Sequence, residues 1–192
     1  MKVIGLTGGI GSGKSTLLDW FKSKGIPCFE SDLVGKQLLE TQLKGLIGNR
    51  FGATLYNTDG TLDRKALAKK VFGDTKALAD LNQIVHPAVA SAFEVFKQAH
   101  KDDPFVIKEA AILFETEGHK NCDAVILVVA PKAQRIKRVR SRDSISAADV
   151  LARIKHQWTD EQKRVHADYV IENIKLDKAY EQADTILKKL LE

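Results

Sequence analysis

The sequence predicts an α/β protein, a three-layer α/β/α sandwich around a five-stranded parallel sheet. Three observations carry this. Val3 to Leu6 is a short apolar strand that runs into a glycine-rich turn and then into an amphipathic helix. Ala124 to Val129 is the continuous β-branched run of a parallel strand buried on both faces. Short apolar segments around these two alternate with helical periodicity, which is the βαβ pattern. The 192 residues are near the size of one domain, with room for an insertion or a lid. A 44% hydrophobic content beside 29% charged residues argues against disorder.

Taken in order, Ser15 to Lys24 predicts a helix with Leu17, Leu18, Trp20 and Phe21 on its apolar side, stopped by Gly25. Ile26 to Phe29 predicts a second strand ending at Glu30-Ser31-Asp32. From Leu33 to about Lys101 the chain reads as mostly helical, with breaks at Gly48, Gly52, Asn57-Thr58-Asp59-Gly60 and Gly73-Asp74. A new helix starting at Pro87 is one open reading of the His86-Pro87 pair. Phe105 to Lys108 and Ala124 to Val129 return to strand character, each preceding helical sequence. Ser146 and Thr159 are expected helix starts, the second with a capping-box pattern completed by Gln162. Asp168 to Ile171 predicts the last strand and Leu176 to Leu191 a closing helix.

Composition also excludes classes. The longest strongly apolar run, Ala124 to Ala130, is far too short to span a bilayer. No cleavage pattern follows the N-terminal apolar stretch, so a cytoplasmic location without a membrane partner is expected. Cys28 and Cys122 lack metal-ligand spacing and are expected to be buried, reduced thiols in strand surroundings.

Gly8-Gly-Ile-Gly-Ser-Gly13-Lys14-Ser15 fits GxxxxGK[ST] in the strand-to-helix context that gives this pattern its meaning. The glycines let backbone N–H groups turn inward around phosphate oxygens, and the helix that follows directs the positive end of its dipole at the same anion. Lys14 is placed to reach the β- and γ-phosphates and the Ser15 hydroxyl to ligate Mg²⁺. The turn is thus read as holding a nucleoside triphosphate. A GTPase reading fails for want of NKxD, although Asp32-Leu-Val-Gly35 matches DxxG.

From spacing alone, Asp32 is either a cap of the next helix or a carboxylate at the γ-phosphate. The net charge of +5 concentrates between Lys132 and Arg142, and Arg135, Arg138 and Arg142 share one helix face. That face is either solvated or a lid over phosphates. Nucleic acid is disfavoured as its partner because no aromatic residue lies between Val125 and Gln157 to stack on bases. His86-Pro87 and the apolar stretch between Glu109 and Glu117 leave their roles open.

Taken together these elements resemble the dephospho-CoA kinase family of P-loop kinases. The resemblance runs through GLTGGIGSGKST at 5 to 16, Asp32, Leu62-Asp-Arg64, Leu67, Val71-Phe72, Leu81-Asn82 and His86-Pro87. It continues through Ile112-Leu-Phe-Glu115, Arg135, Arg138, Arg142-Asp143, Gln157 and the stretch from Ala167-Asp168 to Asn173. It departs at Glu30-Ser31, at Ala111-Ile112 and at Ile174, where the family commonly has Asp-Ala, a proline and a glycine.

The resemblance implies a P-loop kinase fold with a helical substrate-binding insertion at about 33–101 and a helical lid at about 138–165. It implies ATP and Mg²⁺ held by Gly9, Gly11, Ser12, Gly13, Lys14, Ser15 and Thr16, with Arg138 and Asn173 on the nucleotide. It implies Asp32 as base, with Lys14 and Arg142 as its catalytic companions. Arg64, His86, Leu113, Phe114 and Glu115 would face dephospho-CoA, and the protein would act as a monomer or small homo-oligomer.

Overall fold

A computed structural model describes residues 1–71 and 73–192; Phe72, one of the residues in the resemblance, lies outside the described residues. Two compact units divide the chain, one made of residues 1–30 and 100–192, the other of residues 31–99.

The first unit is built on the sheet. Its strands are β1 (Lys2–Thr7), β2 (Cys28–Glu30), β3 (Phe105–Glu109), β4 (Ala124–Val129) and β5 (Tyr169–Glu172). They lie in the order β2-β3-β1-β4-β5, and every pairing is parallel. Side chains alternate across the sheet. Ile4, Leu6, Phe105, Ile107, Ile126, Val128 and Ile171 pack on one face against α1 (Lys14–Ser23) and α9 (Leu176–Leu191), which supply Leu17, Leu18, Phe21, Ala179, Ala183, Ile186, Leu187 and Leu190. Each fully buried Leu or Ile in this layer stabilises the fold by ~2 kcal/mol. Val125, Leu127 and Val129 pack on the other face with Leu113 and Phe114. There Gly5 leaves room that a side chain would not, because a Cβ on it would meet Leu113 at 2.7 Å.

Helix α1 ends where Gly25 takes φ +80°, and Ile26 N–H donates back to the Phe21 carbonyl at 3.2 Å. Beyond β4 the chain forms α6 (Lys132–Asp143), α7 (Ala147–Lys155) and α8 (Asp160–Arg164). Both α7 and α8 open with complete capping boxes, Ser146 with Asp149 and Thr159 with Gln162, which lets such short helices start at fixed residues. Helix was expected after β3, but residues 110–117 form turns and only a 3-10 helix follows, Gly118–Asn121. Leu113 and Phe114 point into the core from this segment, which winds around them rather than along a helix axis.

The second unit packs α2 (Ser31–Glu40), α3 (Lys44–Phe51), α4 (Arg64–Val71) and α5 (Thr75–Ala99) around Leu38, Leu43, Ile47, Phe51, Leu55, Leu62, Leu67, Val71 and Ala77. The expected break at Gly48 is absent, and Pro87 starts no new helix. Gly48 lies inside α3, where its carbonyl accepts from Gly52 N–H at 2.8 Å, and Pro87 lies inside the 25-residue α5. An amphipathic stripe that long outweighs the single backbone hydrogen bond a proline removes.

The expectation for the cysteines also changes. Cys28 and Cys122 are free thiols but only half-buried, and Cys122 follows the 3-10 helix instead of lying in a strand. Burial still dominates their acidity, pushing the Cys28 thiol up to about 12 and the Cys122 thiol up to about 11. At pH 8 about one Cys122 in a thousand is then a thiolate, against roughly a quarter for an unperturbed cysteine. Iodoacetamide at pH 8 should therefore label both positions far more slowly in the native protein than in urea, as read by mass spectrometry; equal rates would contradict the burial.

Candidate active site

The glycine-rich loop leaves β1 at Thr7 and enters α1 at Lys14. Its turns depend on glycine at two positions, since Gly11 and Gly13 take φ +78° and +91°. Ser12 N–H donates to the Gly9 carbonyl at 3.0 Å and closes the loop on itself. No side-chain hydrogen bond caps α1, whose first turn carries the exposed Ser15 and Thr16. Lys14 is ion-paired with Glu109, a buried carboxylate at the end of β3.

The loop's carbonyls are held from behind. Arg135 Nε donates to Ile10 O at 2.9 Å while its Nη1 reaches Asp160 Oδ1 at 3.1 Å. Arg138 Nη1 donates to Ser12 O at 3.2 Å, and its Nη2 donates to Asn173 O at 2.9 Å. Asn173 Nδ2 donates to Ser12 O at 2.8 Å. Gln157 Oε1 accepts from Ile10 N–H at 2.8 Å.

The three arginines expected on one face of α6 therefore do different work. Arg135 is only 6% exposed and lies against the loop, and Arg138 is half-buried on its carbonyls. Arg142 alone is exposed, in a two-pronged pair with Asp143 at 2.7 and 3.2 Å that holds its pKa above the ordinary value. Arg153 donates to the same Asp143 at 3.0 Å, joining the end of α6 to the end of α7.

Leu113 and Phe114 are each 1% exposed, so their side chains belong to the core. Glu115 Oε1 accepts from Trp158 N–H at 2.8 Å and lies 2.9 Å from Nζ of the fully buried Lys163. Phe114 stacks on Trp158 with ring centroids 6.4 Å apart. Asn173 is buried beneath the loop at 3% exposure. In the second unit, Asp32 is exposed in the first turn of α2, Arg64 starts α4 and pairs with Glu40 at 3.0 Å, and His86 is exposed on α5.

Sequence reasoning singled out neither Glu109 nor Gln157 as a site residue. Glu109 carries one legible signal, a carboxylate closing an apolar strand in a parallel sheet. Among the described residues no group of three or more His, Cys, Asp or Glu side chains could cage a metal. The exposed Ser15 hydroxyl and the carboxylate beside Lys14 fit instead a Mg²⁺ carried mainly by phosphate oxygens and water.

The loop, its braces and the Lys14–Glu109 pair lie at the end of a parallel sheet, and the chain is similar to known proteins over nearly its whole length. The dephospho-CoA kinase family profile matches residues 2–178. A dephospho-CoA kinase of Salinibacter ruber is 42% identical over 177 residues, covering 90% of this chain and 89% of its own. A solved protein of Thermus thermophilus superposes with a TM-score of 0.90 at 34% identity, covering 100% of this chain and 98% of its own. The dephospho-CoA kinase of Campylobacter jejuni shares the fold with a TM-score of 0.72 at 23% identity, covering 98% of this chain and 96% of its own. A family profile spanning nearly the whole sequence places the chain in the dephospho-CoA kinase family.

Proposed function

We propose that this protein transfers the γ-phosphoryl group of ATP to the ribose 3′-hydroxyl of dephospho-CoA, giving CoA and ADP, the last step of coenzyme A biosynthesis. The observation that carries the reading is the braced glycine loop at an uncapped α1, in a chain of this family. Loop amides from Gly9 to Gly13 and the first turn of α1 at Lys14, Ser15 and Thr16 surround the phosphates. Lys14, held ready by Glu109, exchanges that carboxylate for phosphate oxygens as ATP enters. Ser15 would hold Mg²⁺, which would supply charge neutralisation on the phosphates.

Asp32 accepts the 3′-hydroxyl proton as the new O–P bond forms, while the bond to ADP breaks and its electrons leave with the diphosphate. Arg142, charged at every physiological pH, turns from Asp143 to the transferring group as the lid closes, which also excludes water. Arg138 and Asn173 serve the nucleotide through the loop they hold. In the insertion at about 33–101, Arg64 and His86 face dephospho-CoA. The protein works in the cytoplasm as a monomer or small homo-oligomer, without nucleic acid. No helix among the described residues is long and apolar enough to cross a membrane.

A coupled assay should show ADP release that requires dephospho-CoA and yields CoA; equal release with no acceptor would replace the reading by an ATPase. Asp32→Asn should keep ATP affinity and lose ~100-fold or more of kcat, the scale of general-base catalysis. Gly13→Ala should lose ATP binding by calorimetry, because a Cβ there would meet Asn173 Nδ2 at 2.0 Å on a left-handed backbone.

A further inference from the structure

Gln157 lies just past α7, and its amide joins two segments far away in sequence. Its Oε1 accepts from Ile10 N–H at 2.8 Å, and its Nε2 donates to Ala111 O at 3.4 Å. An N–H can only donate and a carbonyl only accept, so these partners fix which way the amide faces. Ile10 is also held at its other end, where its carbonyl takes Arg135 Nε at 2.9 Å and Arg135 is tied in turn to Asp160. Gln157 thus holds the Ile10 N–H directly, and Asp160 supports its carbonyl through Arg135. The segment 157–160 is anchored itself, through Trp158 N–H on Glu115 at 2.8 Å and the backbone bond from Gln157 N–H to Ile154 O at 3.1 Å.

We propose that Gln157 is a positioning residue for phosphoryl transfer: it sets the Ile10 peptide at the crest of the phosphate loop and couples that setting to the turn at Ala111. The proposal rests on the kinase reading above. Without the amide oxygen, the Ile10 N–H turns to water or into the cradle, and the bound phosphates shift with it. A displacement of that kind affects the rate of an in-line transfer more than the binding of its substrates.

The test compares the parent protein with Gln157→Met, which keeps the volume and removes both hydrogen bonds, and Gln157→Glu, which restores only the acceptor. In ¹⁵N spectra the Ile10 amide should shift and exchange faster in Gln157→Met and return toward the parent in Gln157→Glu. In Gln157→Met, kcat should fall about 10- to 100-fold with a smaller change in KM for ATP and an unchanged melting temperature. Gln157→Glu should recover part of kcat and raise KM for ATP, since its carboxylate lies beside an anion. Retention of kcat within about twofold in Gln157→Met, or equal losses in both variants with lowered melting temperatures, would overturn the proposal. An unmoved Ile10 amide in Gln157→Met overturns it whatever the acceptor. Failure of the kinase reading is separate: the parent protein itself would then show no ADP release dependent on dephospho-CoA.

Discussion

A phosphate loop can turn its amides inward only if its carbonyls turn outward, and outward carbonyls inside a protein need donors. That constraint organises the sheet unit. Ile10 O takes Arg135, and Ser12 O takes both Arg138 and Asn173. The donors come from α6 and from Asn173 just past β5, so the strand order that puts β4 beside β1 and β5 beside β4 also brings them to the loop. Arg135 is deeply buried, and Asp160 at the start of α8 keeps its charge from being stranded there.

The glycines of the loop are the other half of the same arrangement. A Cβ on Gly9 would meet Arg135 Nη2 at 2.1 Å, and one on Gly11 would meet the Arg135 carbonyl at 2.6 Å. On this side the loop is glycine-rich because Arg135, through its side chain and its carbonyl, leaves no room for a Cβ. A motif ordinarily explained by its ligand is here required equally by its support.

Much of this was legible in the sequence where the signal is local. The β-branched run at Ala124 to Val129 and the amphipathic helix at Leu176 to Leu191 occupy the residues that hydrophobic pattern assigned them. The capping box at Thr159 is likewise read directly from side-chain chemistry. Signals that depend on distant partners were not legible. Gly48 and Pro87 look like breaks until the apolar faces of their helices are packed. The i, i+3, i+7 spacing of Arg135, Arg138 and Arg142 gives a common face but cannot tell which of the three the loop will cover. Gln157 meets Ile10 across 147 residues, a separation at which no local pattern carries information.

The acidity of the two half-buried cysteines bears on the company this protein keeps. Dephospho-CoA and CoA both end in a thiol, and their oxidised forms are disulfides that exchange with any accessible protein thiolate. With Cys28 and Cys122 held in the neutral form by burial, attack on such a disulfide is suppressed at the enzyme's own sulfurs. Burial of two side chains, rather than any feature of the glycine loop, thereby slows capture of the protein as a mixed disulfide.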